Sequence, residues 1–188
     1  MGDVEALVGQ ALERGDLEAA ATAAIRGYGP EVLSYLVTLL RGEAAAGEVF
    51  SEFCEELWRA LPAFRRAASL RTWAYRIAWC RAVDFIRGEA RERARRPPAP
   101  AAISSVAAEL RSSTAAYLRT SMKDRMRELR AQLAPDEQTL LILRLNRELS
   151  FRDVGAVMGL DEATVRKRFA RLREKLRRLA AAAGIIPG

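Results

Sequence analysis

Histidine is absent from the 188-residue sequence, and cysteine occurs only at positions 54 and 80. No His-based triad, His general base or His metal ligand can be built, and two cysteines cannot complete a structural zinc site. The chemistry left to the chain is recognition by charge and by stacking. Of the 31 basic residues only Lys123, Lys167 and Lys175 are lysines, and the planar guanidinium fork suits phosphate oxygens and base edges. GC-rich coding explains an arginine bias equally well, so position has to decide. Two stretches carry the informative positions. In residues 69–87 (SLRTWAYRIAWCRAVDFIR) the aromatics Trp73, Tyr75, Trp79 and Phe85 interleave with Arg71, Arg76, Arg81 and Arg87. That mixture can stack on unpaired bases while neutralising their phosphates, although helical core claims Ile77, Val83 and at least one of Trp73 and Trp79. In residues 162–175, Thr164, Arg166, Lys167, Arg168, Arg171, Arg173 and Lys175 crowd one helical segment.

The second stretch has a frame around it. Ser150-Phe151-Arg152-Asp153 is a capping-box pattern that opens a short helix carrying Val154, Val157 and Met158 inward. Gly159 permits a sharp turn, Leu160 fills the elbow, and Asp161 caps the next helix. In that helix Val165, Phe169, Leu172, Leu176 and Leu179 recur at spacings of 4, 3, 4 and 3, one buried stripe. Two short helices around a tight turn, the second basic on its free face, form a helix-turn-helix that inserts its second helix into the major groove. Glu162, Thr164, Arg166 and Lys167 lie in the part of the helix that reaches base edges. Arg168 and Arg171 fit phosphate contacts that set register.

These stretches sit in a chain patterned for helices throughout, with no run of alternating β-branched residues. The spacing predicts helices over 4–14, 17–27, 30–41, 45–60, 69–94, 121–133, 136–146, 150–158 and 162–181, with breaks at Gly15-Asp16, Gly27 to Pro30, Gly42, Pro62 and Pro135. Arg96-Pro97-Pro98-Ala99-Pro100 forbids helix and favours an extended linker. The expected architecture is all-α: a helical domain over 1–95, a flexible linker over 96–120 that holds at most a short helix near Val106 to Leu110, and a helix-turn-helix domain over 121–183. The net charge of +7 is unevenly held, with 13 basic and 14 acidic residues in 1–95 but 15 and 9 in 121–188. The acidic start MGDVEA lacks a signal-type apolar run, no stretch of about 18 apolar residues exists to span a bilayer, and two lone cysteines suit a reducing compartment. A cytoplasmic location without membrane insertion is expected, and no cofactor is implied.

The halves together resemble the extracytoplasmic-function sigma factors, minimal two-domain bacterial initiation factors, from about Ala6 to Leu179. LVGQALERGDLEAAATAAIRGYGPEVLSYLVTLL is similar to the opening helices of that family. FSEFCEELWRALPAF with SLRTWAYRIAWCRAVDFIR is similar to its second conserved region. LAPDEQTLLILRLNRELSFRDVGAVMGLDEATVRKRFARLREKLRRL is similar to its fourth. The resemblance implies a non-enzymatic factor that gives core RNA polymerase its choice of promoter. The helix around Glu48 to Trp58, with Glu48, Ser51, Glu52 and Glu55, would dock on the clamp helices of the polymerase. Arg71, Thr72, Trp73, Arg76, Cys80 and Arg87 would hold the non-template strand of a melted minus-ten element. The linker would thread toward the active-site and RNA-exit channels, and the helix-turn-helix would read the minus-thirty-five element as duplex DNA. An anti-sigma factor is admitted as a further partner.

Two positions depart from the family's pattern. Ala45-Ala46-Gly47-Glu48-Val49-Phe50-Ser51 keeps one acid where the family has an acidic cluster followed by Gln, and Cys80 stands where Asn is common. Other readings fit some of the same residues: a helix-turn-helix regulator with a helical sensing or dimerisation domain, or a helical adaptor whose basic end is only solvated. A regulator binds duplex DNA tightly by itself, whereas a sigma factor needs core enzyme.

Overall fold

The computed structural model describes residues 2–88 and 132–182, and every regular element among them is helical. The chain divides into two units, with the boundary between Thr120 and Ser121. The expected linker, the short helix near Val106 and most of the helix expected over 121–133 lie outside the described residues. Of that last helix only Gln132 and Leu133 are described, and they form a turn.

The N-terminal unit contains α1 (Gly2–Glu13), α2 (Leu17–Leu40), α3 (Glu43–Ala60), a 3-10 turn (Leu61–Ala63) and α4 (Leu70–Ile86). Asp16 starts α2 by accepting the Ala19 N–H at 2.9 Å. α2 corrects the sequence reading, since the break expected at Gly27 to Pro30 is absent and one helix runs through it. Gly27 serves a close approach instead. A Cβ built there would stand 2.6 Å from both methyls of Val4 on α1, so the missing side chain is what lets α1 lie against α2. Pro30 removes one helical hydrogen bond, a loss of about 3 kcal/mol in an isolated helix. The turns on either side, which bury Ile25, Tyr28, Val32, Leu33 and Leu36, offset it, since each fully buried large apolar side chain contributes roughly 1.5–3 kcal/mol.

α4 begins at Ser69, whose hydroxyl oxygen accepts the Thr72 N–H at 3.0 Å. Glu5 of α1 accepts the Leu70 N–H at 2.8 Å, so a carboxylate far away in sequence satisfies a second free donor of the first turn. The core between α2, α3 and α4 is aromatic: Tyr35 and Tyr75 meet edge to face at 5.6 Å, and Phe50 and Phe53 stack at 5.6 Å. α4 stops at Ile86, where the Arg87 N–H donates to the Val83 carbonyl at 2.9 Å and Gly88 turns to φ +73°. The helix expected to reach residue 94 is therefore shorter, and residues 89–94 lie outside the described ones.

The C-terminal unit contains α5 (Pro135–Leu141), a π-helical segment (Ile142–Asn146), α6 (Phe151–Met158) and α7 (Glu162–Ala182). The stretch read as one α-helix over 136–146 widens at its end, where the Arg147 N–H donates to the Ile142 carbonyl at 3.0 Å. The core is formed by Leu143, Val154, Val157, Val165 and Leu172, each at most 2 % exposed.

Candidate nucleic-acid interface

In the C-terminal unit the helix-turn-helix forms as its spacing requires. The Ser150 hydroxyl oxygen accepts the Asp153 N–H at 3.0 Å and opens α6, and Gly159 closes it at φ +71°. α6 approaches the turn so tightly that a Cβ on Gly155 would lie 2.5 Å from the Leu160 carbonyl oxygen. The sequence reading assigned the turn to Gly159 and missed Gly155. Asp161 caps α7, accepting the Thr164 N–H at 2.8 Å and the Thr164 hydroxyl at 2.6 Å. Those bonds, the hydroxyl's first, hold the Asp161 carboxyl below its ordinary range. Thr164, expected at the base edges, thus has its proton committed to the cap.

The basic residues of α7 separate into two sets. Several are paired: Arg166 bonds to Glu162 through Nε at 2.9 Å, Arg168 reaches Asp136 at 3.4 Å, Lys175 donates to Glu137 at 2.6 Å, and Arg177 pairs with Glu174 at 3.5 Å. Glu137 also accepts the Ala134 N–H at 2.9 Å. Burial pushes its carboxyl upward, but the Lys175 and Ala134 hydrogen bonds and the Lys175 charge outweigh that, and its pKa is lowered. On the face opposite Val165 and Leu172, Lys167, Arg171 and Arg178 recur at i, i+4 and i+11, which places them along one strip. Lys167, Arg171 and Arg178 are exposed, with no ion pair among the described residues, and Ala163, Ala170 and the exposed Glu174 stand beside them. Glu162 is exposed and tied to Arg166. Arg178 was missed in the sequence reading, although its spacing from Lys167 and Arg171 carries the signal.

Phe151, the first residue of α6, has a role that sequence gave no hint of. Its ring lies 4.3 Å from the guanidinium carbon of Arg144 and 4.6 Å from that of Arg166, and meets Phe169 edge on at 5.6 Å. Arg144 also donates to the Leu149 carbonyl.

In the N-terminal unit, Trp73, Arg76 and Cys80 follow one another at i, i+3 and i+7 on one face of α4, and Arg87 continues that register just past its end. Trp73 is half-buried against Phe64, with ring centroids 5.0 Å apart, while Arg76 and Arg87 are exposed and Cys80 is half-buried. Two residues grouped with them lie elsewhere. Arg71 forms a two-pronged pair with Glu31 of α2, Nε to Oε1 and Nη2 to Oε2 at 2.8 Å each. The Glu31 hydrogen bond raises the Arg71 pKa against the opposing effect of burial. Thr72 is 1 % exposed and accepts the Ser69 hydroxyl at 2.9 Å. The structure does not bring Arg71 and Thr72 onto the Trp73 face, because one spans to α2 and the other is packed inside the cap.

On α3, Glu48, Glu52 and Glu55 share a face at i, i+4 and i+7, with Ser51 beside them. Glu48 is exposed and the others are half-buried. Ser51 donates its hydroxyl to the Gly47 carbonyl at 3.0 Å, and Glu55 pairs with Arg59 at 3.0 Å.

A unit with an Arg-aromatic helix face and an acidic helix, followed by a helix-turn-helix unit with exposed cations on its second helix, has the layout of a nucleic-acid-binding protein. Two family models match, Sigma-70 region 2 over residues 24–92 and Sigma-70, region 4 over residues 123–176. The RNA polymerase sigma-H factor of Pseudomonas aeruginosa is 30 % identical over 178 residues, covering 88 % of each chain. The sigma factor RpoE, solved in complex with the anti-sigma factor NepR from Bartonella quintana, has a similar fold. Its TM-score is 0.61 at 17 % identity, over 82 % of this chain and 92 % of that one. The chain belongs to the sigma-70 family of RNA polymerase sigma factors and is of the extracytoplasmic-function type. It acts in transcription initiation, binding core RNA polymerase and promoter DNA. Sigma factors are non-enzymatic initiation factors, and no described helix is long and apolar enough to cross a membrane.

Proposed function

We propose a division of labour among the faces described above. The domain over 1–95 docks on core polymerase through the α3 face of Glu48, Ser51, Glu52 and Glu55. It holds the unpaired minus-ten strand along Trp73, Arg76, Cys80 and Arg87, with Arg71 and Thr72 fixing the start of that helix. Residues 96–120 connect the two DNA-binding parts. The domain over 121–183 reads the minus-thirty-five duplex with α7, Lys167 and Arg171 facing the groove, Glu162 and Arg166 at its edge, and Thr164 and Arg168 setting the approach. The chain performs no catalysis of its own and works in the cytoplasm. An anti-sigma factor, such as the partner that RpoE has in its complex, is a further candidate partner.

The observation that carries this reading is the separation of charges on α7. Arg168 and Lys175 are tied to acids of α5, whereas Lys167, Arg171 and Arg178 on the outward strip have no ion pair among the described residues, although the strip also carries Glu174, paired with Arg177. A merely solvated basic face gives no reason for that pattern, whereas a polyanion approaching from outside meets free charge on an already oriented helix. Transcription with core polymerase on a library randomised at both promoter elements tests it. Promoter-selective transcripts that require both proteins are expected, together with weak binding of the free chain to the same duplexes. Tight, selective duplex binding without polymerase would refute the division.

A further inference from the structure

We propose that Phe151 is a positioning residue for promoter reading, holding the Arg166 guanidinium in the orientation in which it meets the minus-thirty-five element. This inference rests on the assignment of α7 as the reading helix. Arg166 is 60 % exposed at its side chain, and a free arginine of that exposure samples many rotamers, losing them on binding. Here two contacts restrain it. Its guanidinium carbon lies 4.6 Å from the centre of the Phe151 ring, and its Nε and Nη2 donate to Glu162 Oε1 at 2.9 and 2.5 Å. The ring is itself fixed by the edge-on contact with Phe169 of α7 and by the Arg144 guanidinium at 4.3 Å. Arg144 in turn donates to the Leu149 carbonyl, one residue before the Ser150 cap. Phe151 thus links the end of the π-helical segment, the start of α6 and the first turns of α7.

A cation over a ring face is attracted by the ring quadrupole and gives up little hydration. With Nε and Nη2 bonded to Glu162, the stack leaves the Nη1 donors available to a base or phosphate while restricting their direction, and less entropy remains to be lost when DNA arrives. The ring carries no charge, so its removal leaves the count of phosphate-neutralising cations unchanged. The expected signature is a loss of base discrimination without a change in salt dependence.

The test uses the full chain as holoenzyme with core polymerase, selecting from a library randomised across the minus-thirty-five element, with wild type, Phe151→Tyr, Phe151→Leu and Arg166→Ala. Phe151→Leu keeps an apolar side chain but has no π face. It is expected to lose about tenfold discrimination at the same base pair that Arg166→Ala relaxes, with an unchanged salt slope. Phe151→Tyr is expected to behave as wild type. Destabilisation of the motif alone would lower activity on every sequence equally and leave the preference intact, and that result would overturn the positioning role. If Arg166→Ala changes the preference and Phe151→Leu does not, the positioning role fails while the reading helix stands. If Arg166→Ala leaves the preference unchanged, Arg166 reads no base and the proposal falls with that assignment.

Discussion

Replacing Arg71 decides between a stabilising and a DNA-holding role for the first arginine of α4. The pair with Glu31 has two parallel bonds of 2.8 Å, and the side chains are 17 % and 21 % exposed. An ion pair at the open surface contributes about 0.2–1 kcal/mol, and removing one partner of a fully buried pair costs about 3–5 kcal/mol. With roughly a fifth of each side chain in water, Arg71→Ala falls between these limits, at about 2 kcal/mol. Arg71→Lys keeps the charge but not the fork, and a loss of about 1 kcal/mol is expected. All three tryptophans, Trp58, Trp73 and Trp79, lie in the N-terminal unit, so tryptophan fluorescence follows that unit alone during thermal unfolding. At about 4–8 °C per kcal/mol for a unit of this size, Arg71→Ala should lower its midpoint by about 8–16 °C. A double-mutant cycle with Glu31→Ala should return most of the loss as coupling. An unchanged midpoint together with altered minus-ten preference would refute the argument and return Arg71 to the DNA.

Lys167→Ala and Arg171→Ala should each lower the slope of log affinity against log salt by about 0.9 if the lost contact is to phosphate. Either should relax one minus-thirty-five position by about 1–3 kcal/mol if it is to a base. Holoenzyme footprints across a salt series separate the two, and unchanged footprints would remove these residues from the reading face. Trp73→Ala should spare core binding but slow open-complex formation, since stacking is worth about 1–3 kcal/mol per base; a wild-type melting rate would leave Trp73 to its packing against Phe64. Glu137 has a folded pKa below its ordinary 4.5, so its contribution to stability is present above that value and lost as pH falls through the folded pKa. Circular-dichroism unfolding midpoints below pH 5 should therefore fall more steeply in wild type than in Glu137→Gln, and parallel profiles would contradict the Lys175 contact.

What was legible in the sequence was whatever depends on neighbours a few residues away. The Ser150 and Asp161 caps, the Gly159 turn and the stripe through Val165 and Leu172 all follow from spacing within one or two turns. The misread features depend on partners distant along the chain. Gly27 and Pro30 look like a break locally, but Val4 fills the space that Gly27 leaves, and burial on both sides carries the helix through the proline. Arg71 looks like its neighbours in the Arg-aromatic stretch, and only the fold brings Glu31 to it. Phe151 reads as an ordinary helix start, because Arg144 and Arg166 reach its ring from opposite sides in sequence.

The charges of the C-terminal unit follow the same logic. A helix as basic as α7 repels itself and could roll on its apolar stripe, since Phe169, Leu176 and Leu179 are only half-buried. Asp136 and Glu137 at the start of α5 engage Arg168 and Lys175 on one flank, and Phe151 of α6 engages Arg166 on the other. Rotation of α7 in either direction breaks one of these sets, so the strip of Lys167, Arg171 and Arg178 is oriented by cations other than its own. Orientation by Arg168 and Lys175 is therefore separate from reading by Lys167 and Arg171, with Arg166 contributing to both. That separation is why the acids of α5, which touch no DNA in this reading, belong to the recognition apparatus as much as the arginines do.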